Sequence, residues 1–268
     1  MPYLFVISTP IGNLEDITIR AVRYLDEVDL IAAEDTRKTG KLLKHYGIST
    51  KMISFHEYSK WQRTTQILDH LATGDVALVS DAGVPTLSDP GSELVQRVIA
   101  SGFKVIPIPG PSAVTAALSV SGFRADNFVF VGFLPRIQSQ RKKLLKALAT
   151  EQRTLIVFEA PHRMRSTLQD IDEAFDDRLI SISRELTKLH EETFQGSASE
   201  AYNYFQQPKG EFTLVIEGST KQADPVSDEA LIEKLRGLKS QGLSARDAAV
   251  RLNELLDVPK NRVYRLWL

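Results

Sequence analysis

The chain contains no cysteine among its 268 residues. The absence of cysteine excludes disulfide bonds and cysteine-based zinc sites. The 5 histidines are scattered and never stand four residues apart, so we expect no metal centre. The sequence also lacks an apolar run long enough to cross a membrane, and it lacks the layout of a signal peptide. Together these absences predict a cytoplasmic protein.

A strong excess of positive charge is missing as well. The chain carries 33 Lys and Arg against 34 Asp and Glu, which gives a formal net charge of −1. A protein that holds nucleic acid by electrostatics alone is more basic than this. An enzyme that visits RNA briefly needs only a local basic patch. Hydrophobic residues make up 43% of the chain, as in a folded globular protein, and the length suffices for two domains.

The most informative stretch runs from Gly74 to Gly91 and combines a buried strand with a rigid loop. Residues 76–79 form an unbroken apolar run, which is typical of a strand buried on both faces of a parallel sheet. Asp81 follows the carboxyl end of this strand, where ligands bind in open α/β sheets. Gly83 allows the backbone to approach a ligand closely. The same pattern is also typical of an ordinary strand–helix connection, so this stretch alone leaves both interpretations open.

A second stretch, residues 104–115, repeats the arrangement. A short apolar strand leads into the rigid turn 109–111, and the small residues Ser112 and Ala113 then open an apolar helix. The free N–H groups at a helix N-terminus can face a ligand carboxylate. Two such loops in one chain favour a ligand site at the carboxyl edge of a parallel sheet.

A cluster of charged residues, 34–38, follows the apolar run 30–33. One interpretation is a loop at a strand end whose charges point into a cleft. The other is the start of a helix, with two acids ahead of a solvated helix face. The residues alone favour the helix start, because charged helix starts are common.

Strands and helices alternate through the first half of the chain, which predicts a parallel-sheet α/β domain over residues 1–119. The second half predicts a further α/β domain with a mixed sheet over residues 120–221. The tail, 222–268, begins with a linker at 222–225 and shows three helical patterns in a helix-turn-helix-like layout. That layout binds nucleic acid in some proteins and only packs in others.

Seven short motifs occur in order between the N-terminus and Gly218. They are Ser8–Leu14, Ala33–Arg37, Ser80–Gly91, Pro109–Ala113, Glu159–Arg163, Arg184–Lys188 and Gly210–Thr213. With these motifs the chain resembles the methyltransferases of the tetrapyrrole-methylase fold. Within that fold it looks like the bacterial small-subunit ribosomal RNA (cytidine-2′-O-)-methyltransferases. It departs from many relatives in the first loop, where a glycine-rich sequence is replaced by one with Gly12 alone.

The resemblance implies S-adenosylmethionine as cofactor, folded into a cleft between the two α/β domains. It implies 16S ribosomal RNA within the small ribosomal subunit as substrate, a cytidine ribose as methyl acceptor, and a homodimer. The residues then expected to bind the cofactor come from both domains. They are Pro10, Ile11, Asp81, Ala82, Gly83, Val84, Ser112, Ala113, Glu159 and Thr213.

A ribose hydroxyl that accepts a methyl group must lose its proton, which needs a nearby base or a cation. The charges available at strand ends are Glu34, Asp35, Arg37, Lys38, Glu185 and Lys188. We rank Asp35 and Arg37 first as catalytic residues, because they lie in the cluster specific to the resembled group. Basic residues on and around a predicted helix, 138–149, form the best patch for RNA phosphates, although a solvated helix face explains them equally well. The candidates are Arg136, Arg141, Lys142, Lys143, Lys146, His162, Arg163 and Lys188.

Two other interpretations remain open. A methyltransferase of the same fold acts on a tetrapyrrole, or on a modified protein histidine as in diphthine synthesis. A non-enzymatic regulator combines a ligand-sensing domain with a helical nucleic-acid-binding tail. The charged cluster, the altered first loop and the helical tail favour the RNA methyltransferase over a tetrapyrrole or protein methyltransferase, and any detected methyl transfer excludes the regulator.

Overall fold

The computed structural model describes residues 2–56, 60–220, 227–256 and 258–267. The predicted linker at 222–225 lies outside these residues. The chain divides into two compact units, one ending at Gly218 and one beginning at Ser219. Among the residues described, the first unit contains both sheets, and the second contains only helices.

The first sheet is fully parallel and has the strand order β3-β2-β4-β1-β5. Strands β2 and β4 are buried at every position, because helices cover both faces of the sheet. The carboxyl ends of the strands meet at one edge, where the predicted ligand loops lie. The strands are β1 Tyr3–Ile7, β2 Leu30–Ala33, β3 Met52–Ser54, β4 Val76–Val79 and β5 Lys104–Ile108.

Helices flank this sheet on both sides and create two apolar cores. One core includes Leu25 and Leu42, and the other includes Leu71 and Val98. Thr18 is the N-cap of the first helix, since its hydroxyl accepts the N–H of Ala21 at 3.1 Å. The helices are α1 Ile19–Glu27, α2 Thr36–His45, α3 Lys60–His70, α4 Ser92–Ala100 and α5 Ala113–Val120, with a 3-10 helix at Leu14–Asp16.

The second sheet is mixed, as predicted, with the order β6-β7-β10-β8-β9. Only the pair β6–β7 is parallel among its described neighbours. The strands are β6 Phe128–Phe133, β7 Thr154–Glu159, β8 Ile180–Arg184, β9 Glu192–Gly196 and β10 Phe212–Ile216. The helices of this half are α6 Gln138–Leu148, α7 Pro161–Phe175 and α8 Ala198–Tyr204.

Helix α5 joins the two sheets within the first unit. Val114 and Ala117 of this helix share an apolar core with Ile156 and Val215 of the second sheet. Ile11, in the first loop, belongs to the same core. The carboxyl edge of the first sheet therefore faces the second sheet, which predisposes the space between them to form a cleft.

The second unit consists of α9 Asp228–Ser240, α10 Ala245–Leu256 and α11 Lys260–Leu266. Its own core contains Leu231, Leu235, Leu252 and Val263, so these helices bury apolar surface against one another. Across the described residues, no helix combines the length and the apolar character that a membrane span requires.

Candidate active site

Three loops at the carboxyl edge of the first sheet are locked together by backbone contacts. Thr9 and Gly83 exchange two hydrogen bonds, of 2.9 and 3.0 Å, across their N–H and C=O groups. Gly83 has φ +78°, which a residue with a side chain adopts only under strain. A Cβ atom at Gly110 would come within 2.9 Å of Ser8 Cβ, so glycine permits this close approach. The loops after β1, β4 and β5 therefore form one rigid wall.

The loop after β8 closes against this wall from the second sheet. A Cβ atom at Gly12 would lie 2.5 Å from Cγ of Lys188, so the first loop packs directly on that side chain. The carboxylate of Glu185 accepts hydrogen bonds from Lys188 Nζ at 2.9 Å and from the N–H of Glu211 at 3.0 Å. Contacts between these loops, together with the packing of α5, thus hold the two sheets against each other.

A cleft of about 390 Å³ lies between the two sheets. This volume falls within the usual range of small-molecule sites, about 300–1,000 Å³. Phe133, Phe158 and Phe212 contribute apolar surface. Pro10 is the one predicted cofactor residue that does not line it. The predicted residues that do line it are Ile11, Asp81, Ala82, Gly83, Val84, Ser112, Ala113, Glu159 and Thr213.

Asp81 joins the loop after β4 to the residues that follow β2 and to the first turn of α2. Its Oδ1 accepts the N–H of Asp35 at 2.9 Å, and its Oδ2 accepts Lys38 Nζ at 2.8 Å. Its own N–H donates to Glu34 Oε2 at 3.2 Å. Burial raises the pKa of Glu34, and the neighbouring Asp81 carboxylate adds to the effect. Glu34 and Lys38 both line the cleft.

Asp35 and Arg37, the two residues ranked first for catalysis, lie outside the lining of the cleft. Asp35 is the N-cap of α2, so the helix-start interpretation of the cluster describes this backbone correctly. Hydrogen bonds from the side chain and backbone N–H of Arg37 hold the pKa of Asp35 far below its usual value. Neither Asp35 nor Arg37 lines the cleft, whereas their neighbours Glu34 and Lys38 do. A carboxylate this acidic, already bonded to a guanidinium, is a poor base.

Asp89 lines the cleft and was given no role by the sequence pattern. Burial raises the pKa of Asp89 to about 6, and the nearby Glu34 carboxylate contributes. The available signal was the Asp-Pro-Gly turn that ends the loop after β4. Across the described part of the chain, no group of three or more His, Asp or Glu side chains is arranged to hold a metal ion.

Glu159 is buried, and both of its carboxylate oxygens accept hydrogen bonds. Its Oε1 accepts the N–H of Ala160 at 2.8 Å, and its Oε2 accepts the hydroxyl of Thr167 at 2.6 Å. Arg163 also donates to Oε2 at 3.2 Å. These bonds fix the start of α7, which forms one end of the cleft.

The basic patch is smaller than the sequence predicts. Arg141 is buried, with 4% of its side chain exposed, and it pairs with Asp170 at 2.7 Å, so including it as an RNA contact was wrong. Arg163 points inward to the carbonyls of Leu134 and Pro135, and Lys142 pairs with Glu173. Lys188 is bonded to Glu185 and Glu211. The predicted basic residues that are exposed are Arg136, Lys143, Lys146 and His162.

A family model described as Tetrapyrrole (Corrin/Porphyrin) Methylases matches residues 3–202, a segment that includes nine of the ten strands found in the described residues. The chain therefore belongs to the tetrapyrrole methylase family.

Relatives within this class specify the group further. A protein of Synechocystis named ribosomal RNA small subunit methyltransferase I is 47% identical and covers 100% of this chain and 98% of its own length. The protein of the same name from Bacillus subtilis is 42% identical over 98% of this chain and 93% of its own. A third, from Thermotoga maritima, is 51% identical over 81% of this chain and 99% of its own. The chain thus falls among the ribosomal RNA small subunit methyltransferases I, which confirms the resemblance.

Solved structures support the fold. Uroporphyrin-III-C-methyltransferase from Thermus thermophilus aligns with a TM-score of 0.60 at 16% identity, covering 81% of this chain and 94% of its own. Diphthine synthase aligns with a TM-score of 0.62 at 12% identity, covering 81% of this chain and 90% of its own. At these identities the likeness establishes the architecture alone.

Proposed function

We propose that this protein methylates the ribose 2′-hydroxyl of a cytidine in 16S ribosomal RNA, with S-adenosylmethionine as methyl donor. The observation that carries the proposal is the cleft, whose wall includes nine of the ten residues expected to bind the cofactor. The relatives named for small-subunit ribosomal RNA supply the class of substrate.

The chemistry of the cleft suits the cofactor. Asp81 is suited to hold ribose hydroxyls or the amino group, and its negative charge favours a cationic ligand. Phe158 and Ile11 offer apolar surface for adenine, and Thr213 is the partner of Phe158 on the neighbouring strand β10. Gly83, with Ser112 and Ala113, leaves room for close backbone approach. When bound, S-adenosylmethionine supplies a methyl group on a positively charged sulfur.

Exposed side chains beside the cleft suit a nucleic acid. Phe133 lines the cleft while 55% of its surface remains exposed. Unstacked RNA bases commonly stack on aromatic side chains of this kind. Arg136, Lys143 and Lys146 follow on the surface, and they supply positive charge for phosphates.

The alternative substrates receive less support. The tetrapyrrole methyltransferases and diphthine synthase share the fold at only 12–16% identity. The relatives that cover the full chain at 40–47% identity carry the ribosomal RNA name instead. A homodimer acting on the assembled small subunit is part of the proposal, and light scattering of the purified protein tests the dimer.

The experiment that tests the function measures transfer of a tritiated methyl group from S-adenosylmethionine. The substrates are small ribosomal subunits from cells lacking this protein, with protein-free 16S RNA in parallel. We expect label in the ribose of one cytidine, and more of it in the assembled subunits. Cofactor binding without label in any RNA would reject the ribosomal substrate, and the absence of cofactor binding would reject the assignment of the cleft.

A further inference from the structure

Five carboxylates of the described residues line the cleft, and four of them already bind protein partners. Asp81 accepts Lys38 Nζ and the N–H of Asp35, and Glu34 accepts the N–H of Asp81. Glu211 pairs with Lys188 at 2.9 Å. Glu159 is buried and bonded to Thr167 and to Arg163. The lining carboxylates are Glu34, Asp81, Asp89, Glu159 and Glu211.

Asp89 differs from the other four. Its carboxylate interacts with the hydroxyl of Ser80, and within the described residues it forms no ion pair. Its charged neighbours from the first sheet are Glu34, Asp81 and Lys38. Lys38 is 62% exposed at the side chain, so this end of the cleft is open to solvent.

Backbone strain surrounds Asp89. Thr86 and Ser88 have φ values of +76° and +67°, a region that residues with side chains rarely adopt. Such conformations are strained and persist only where the surroundings impose them. The strain lies in the loop that carries Asp89 to the cleft, so the position of this carboxylate is built into the fold.

Two glycines clamp this loop from opposite sides. A Cβ atom at Gly91 would come within 2.9 Å of Leu78 on β4. A Cβ atom at Gly132 would come within 2.9 Å of Ser88 Oγ, and Gly132 lies at a β-bulge in β6. Both sheets therefore set the position of the loop, and Asp89 is held in the cleft from both sides.

We propose that Asp89 is the general base that removes the proton from the acceptor hydroxyl. The inference rests on the proposed ribose methylation. The ribose oxygen forms a bond to the methyl carbon as the hydroxyl proton passes to a carboxylate oxygen of Asp89. The carbon–sulfur bond breaks at the same time, and its electron pair stays on sulfur, so charge and atoms balance.

The titration of Asp89 agrees with this role. Burial, followed by the Glu34 carboxylate, raises the pKa of Asp89 to about 6, while Lys38 and the Ser80 hydroxyl oppose the rise. Glu159 and Glu211 line the cleft from the second sheet. A base with a pKa near the working pH combines a useful ionised fraction with a strong pull on the proton. Only the ionised form accepts a proton, so the rate falls as the pH drops through about 6.

The test compares the intact wild-type enzyme with Asp89→Asn in single turnover at saturating cofactor. We expect the rate to fall by about 10²–10⁴-fold, the usual contribution of a general base. Calorimetry with S-adenosylhomocysteine should give the same affinity within about threefold, since cofactor binding does not need a proton acceptor. In the free enzyme, carbon NMR of the carboxyl groups should show Asp89 titrating near pH 6.

The pH profile separates a base from a structural residue. The wild-type rate should rise with pH to a plateau above about 6, and Asp89→Asn should lose this limb. Glu34→Gln removes a charge that raises the pKa of Asp89, so it should move the limb to lower pH. Asp89→Glu should recover part of the rate, because it restores the carboxylate.

Two results would overturn the inference. One is an Asp89→Asn enzyme with the wild-type rate and pH limb. The other is an Asp89→Asn enzyme that binds S-adenosylhomocysteine more weakly but reaches the wild-type rate at saturating cofactor. That result would make Asp89 a binding residue. A wild-type enzyme that transfers no methyl group to ribosomal RNA would instead refute the proposed function itself.

Discussion

We expect Asp81 to determine cofactor affinity, because it lines the cleft. It also joins the loop after β4 to the start of α2. Asp81→Asn keeps an oxygen that can accept the N–H of Asp35, so the fold should persist. It removes the negative charge that faces the cleft. A hydrogen bond to a charged group is worth about 1.5–3 kcal/mol, so calorimetry should show about 10- to 100-fold weaker S-adenosylmethionine binding.

Asp75 provides the matched control for this change. It lies at the amino end of β4, away from the cleft, and accepts the N–H of Tyr3 at 2.7 Å. Asp75→Asn should leave cofactor affinity within about twofold of wild type, since surface changes away from a site are usually nearly neutral. Equal losses in both variants would contradict a direct role for Asp81.

The buried pair Arg141–Asp170 makes a prediction about stability. Only 4% and 2% of the two side chains are exposed. Arg141→Ala removes the direct ion-pair partner of the buried Asp170 and leaves it only the more distant Lys142, at 3.8 Å. Breaking a buried ion pair costs about 3–5 kcal/mol. Urea unfolding should therefore show a clearly lower midpoint for this variant.

Arg124, which pairs with Asp126 at 3.3 Å, is the control for the buried pair. This pair lies on the surface, with 90% and 73% of the two side chains exposed. Exposed pairs contribute about 0–1 kcal/mol, so Arg124→Ala should shift the midpoint little. A loss in Arg141→Ala no larger than in Arg124→Ala would show that Asp170 does not need its partner.

The charged cluster after β2 marks what the sequence does not reveal at the scale of residues. The pattern indicates a strand end with acids and cations, and that much is correct. Glu34 directly follows β2, Lys38 lies in the first turn of α2, and both line the cleft. Asp35 is instead the N-cap of α2 and is bonded to Arg37. Sequence alone gives no means to choose between these neighbours.

We expect the segment from the end of β6 into α6 to contribute to RNA affinity. Lys143 and Lys146 are exposed on this helix, three residues apart. The double change Lys143→Ala and Lys146→Ala should weaken binding to the ribosomal RNA substrate. It should also reduce the magnitude of the slope of log affinity against log salt by about 1 to 2. With two phosphate contacts fewer, binding releases fewer counterions from the RNA.

Lys51 and Lys104 supply a control of equal charge. Both are exposed and lie at or just before the amino ends of parallel strands, opposite the cleft. Replacing both with alanine should leave the salt slope unchanged. If this pair lowers the slope as much as the α6 pair does, the attraction is general and α6 is not the contact surface.

The strands were more predictable than the helices between them. Unbroken apolar runs give β2 and β4 directly, because a strand buried on both faces needs no polar alternation. Helix α7, Pro161–Phe175, is absent from the sequence prediction, although Met164, Leu168 and Ile171 recur at helical spacing. The Arg141–Asp170 pair followed from no pattern, since a basic helix face and a buried ion pair use the same residue types.

The whole molecule divides into two units of very different length, and one relative is about as long as the larger unit. The relative from Thermotoga maritima is matched over 99% of its length by 221 aligned residues, 81% of this chain. That share corresponds in size to the first unit, which ends at Gly218. A protein of the same name thus has a length close to that of the first unit alone.

Truncation after Gly218 is the prediction at this scale. Every residue that lines the cleft precedes this position, and the helices of the second unit have a core of their own. The truncated chain should therefore fold, unfold in one cooperative transition, and bind S-adenosylmethionine with the affinity of the full chain. Circular dichroism and calorimetry measure the two properties. Because the cofactor site stays intact, any loss of methyl transfer to ribosomal subunits in this variant would assign the helical unit to substrate engagement. A loss of cofactor affinity would contradict the placement of the whole cofactor site in the first unit.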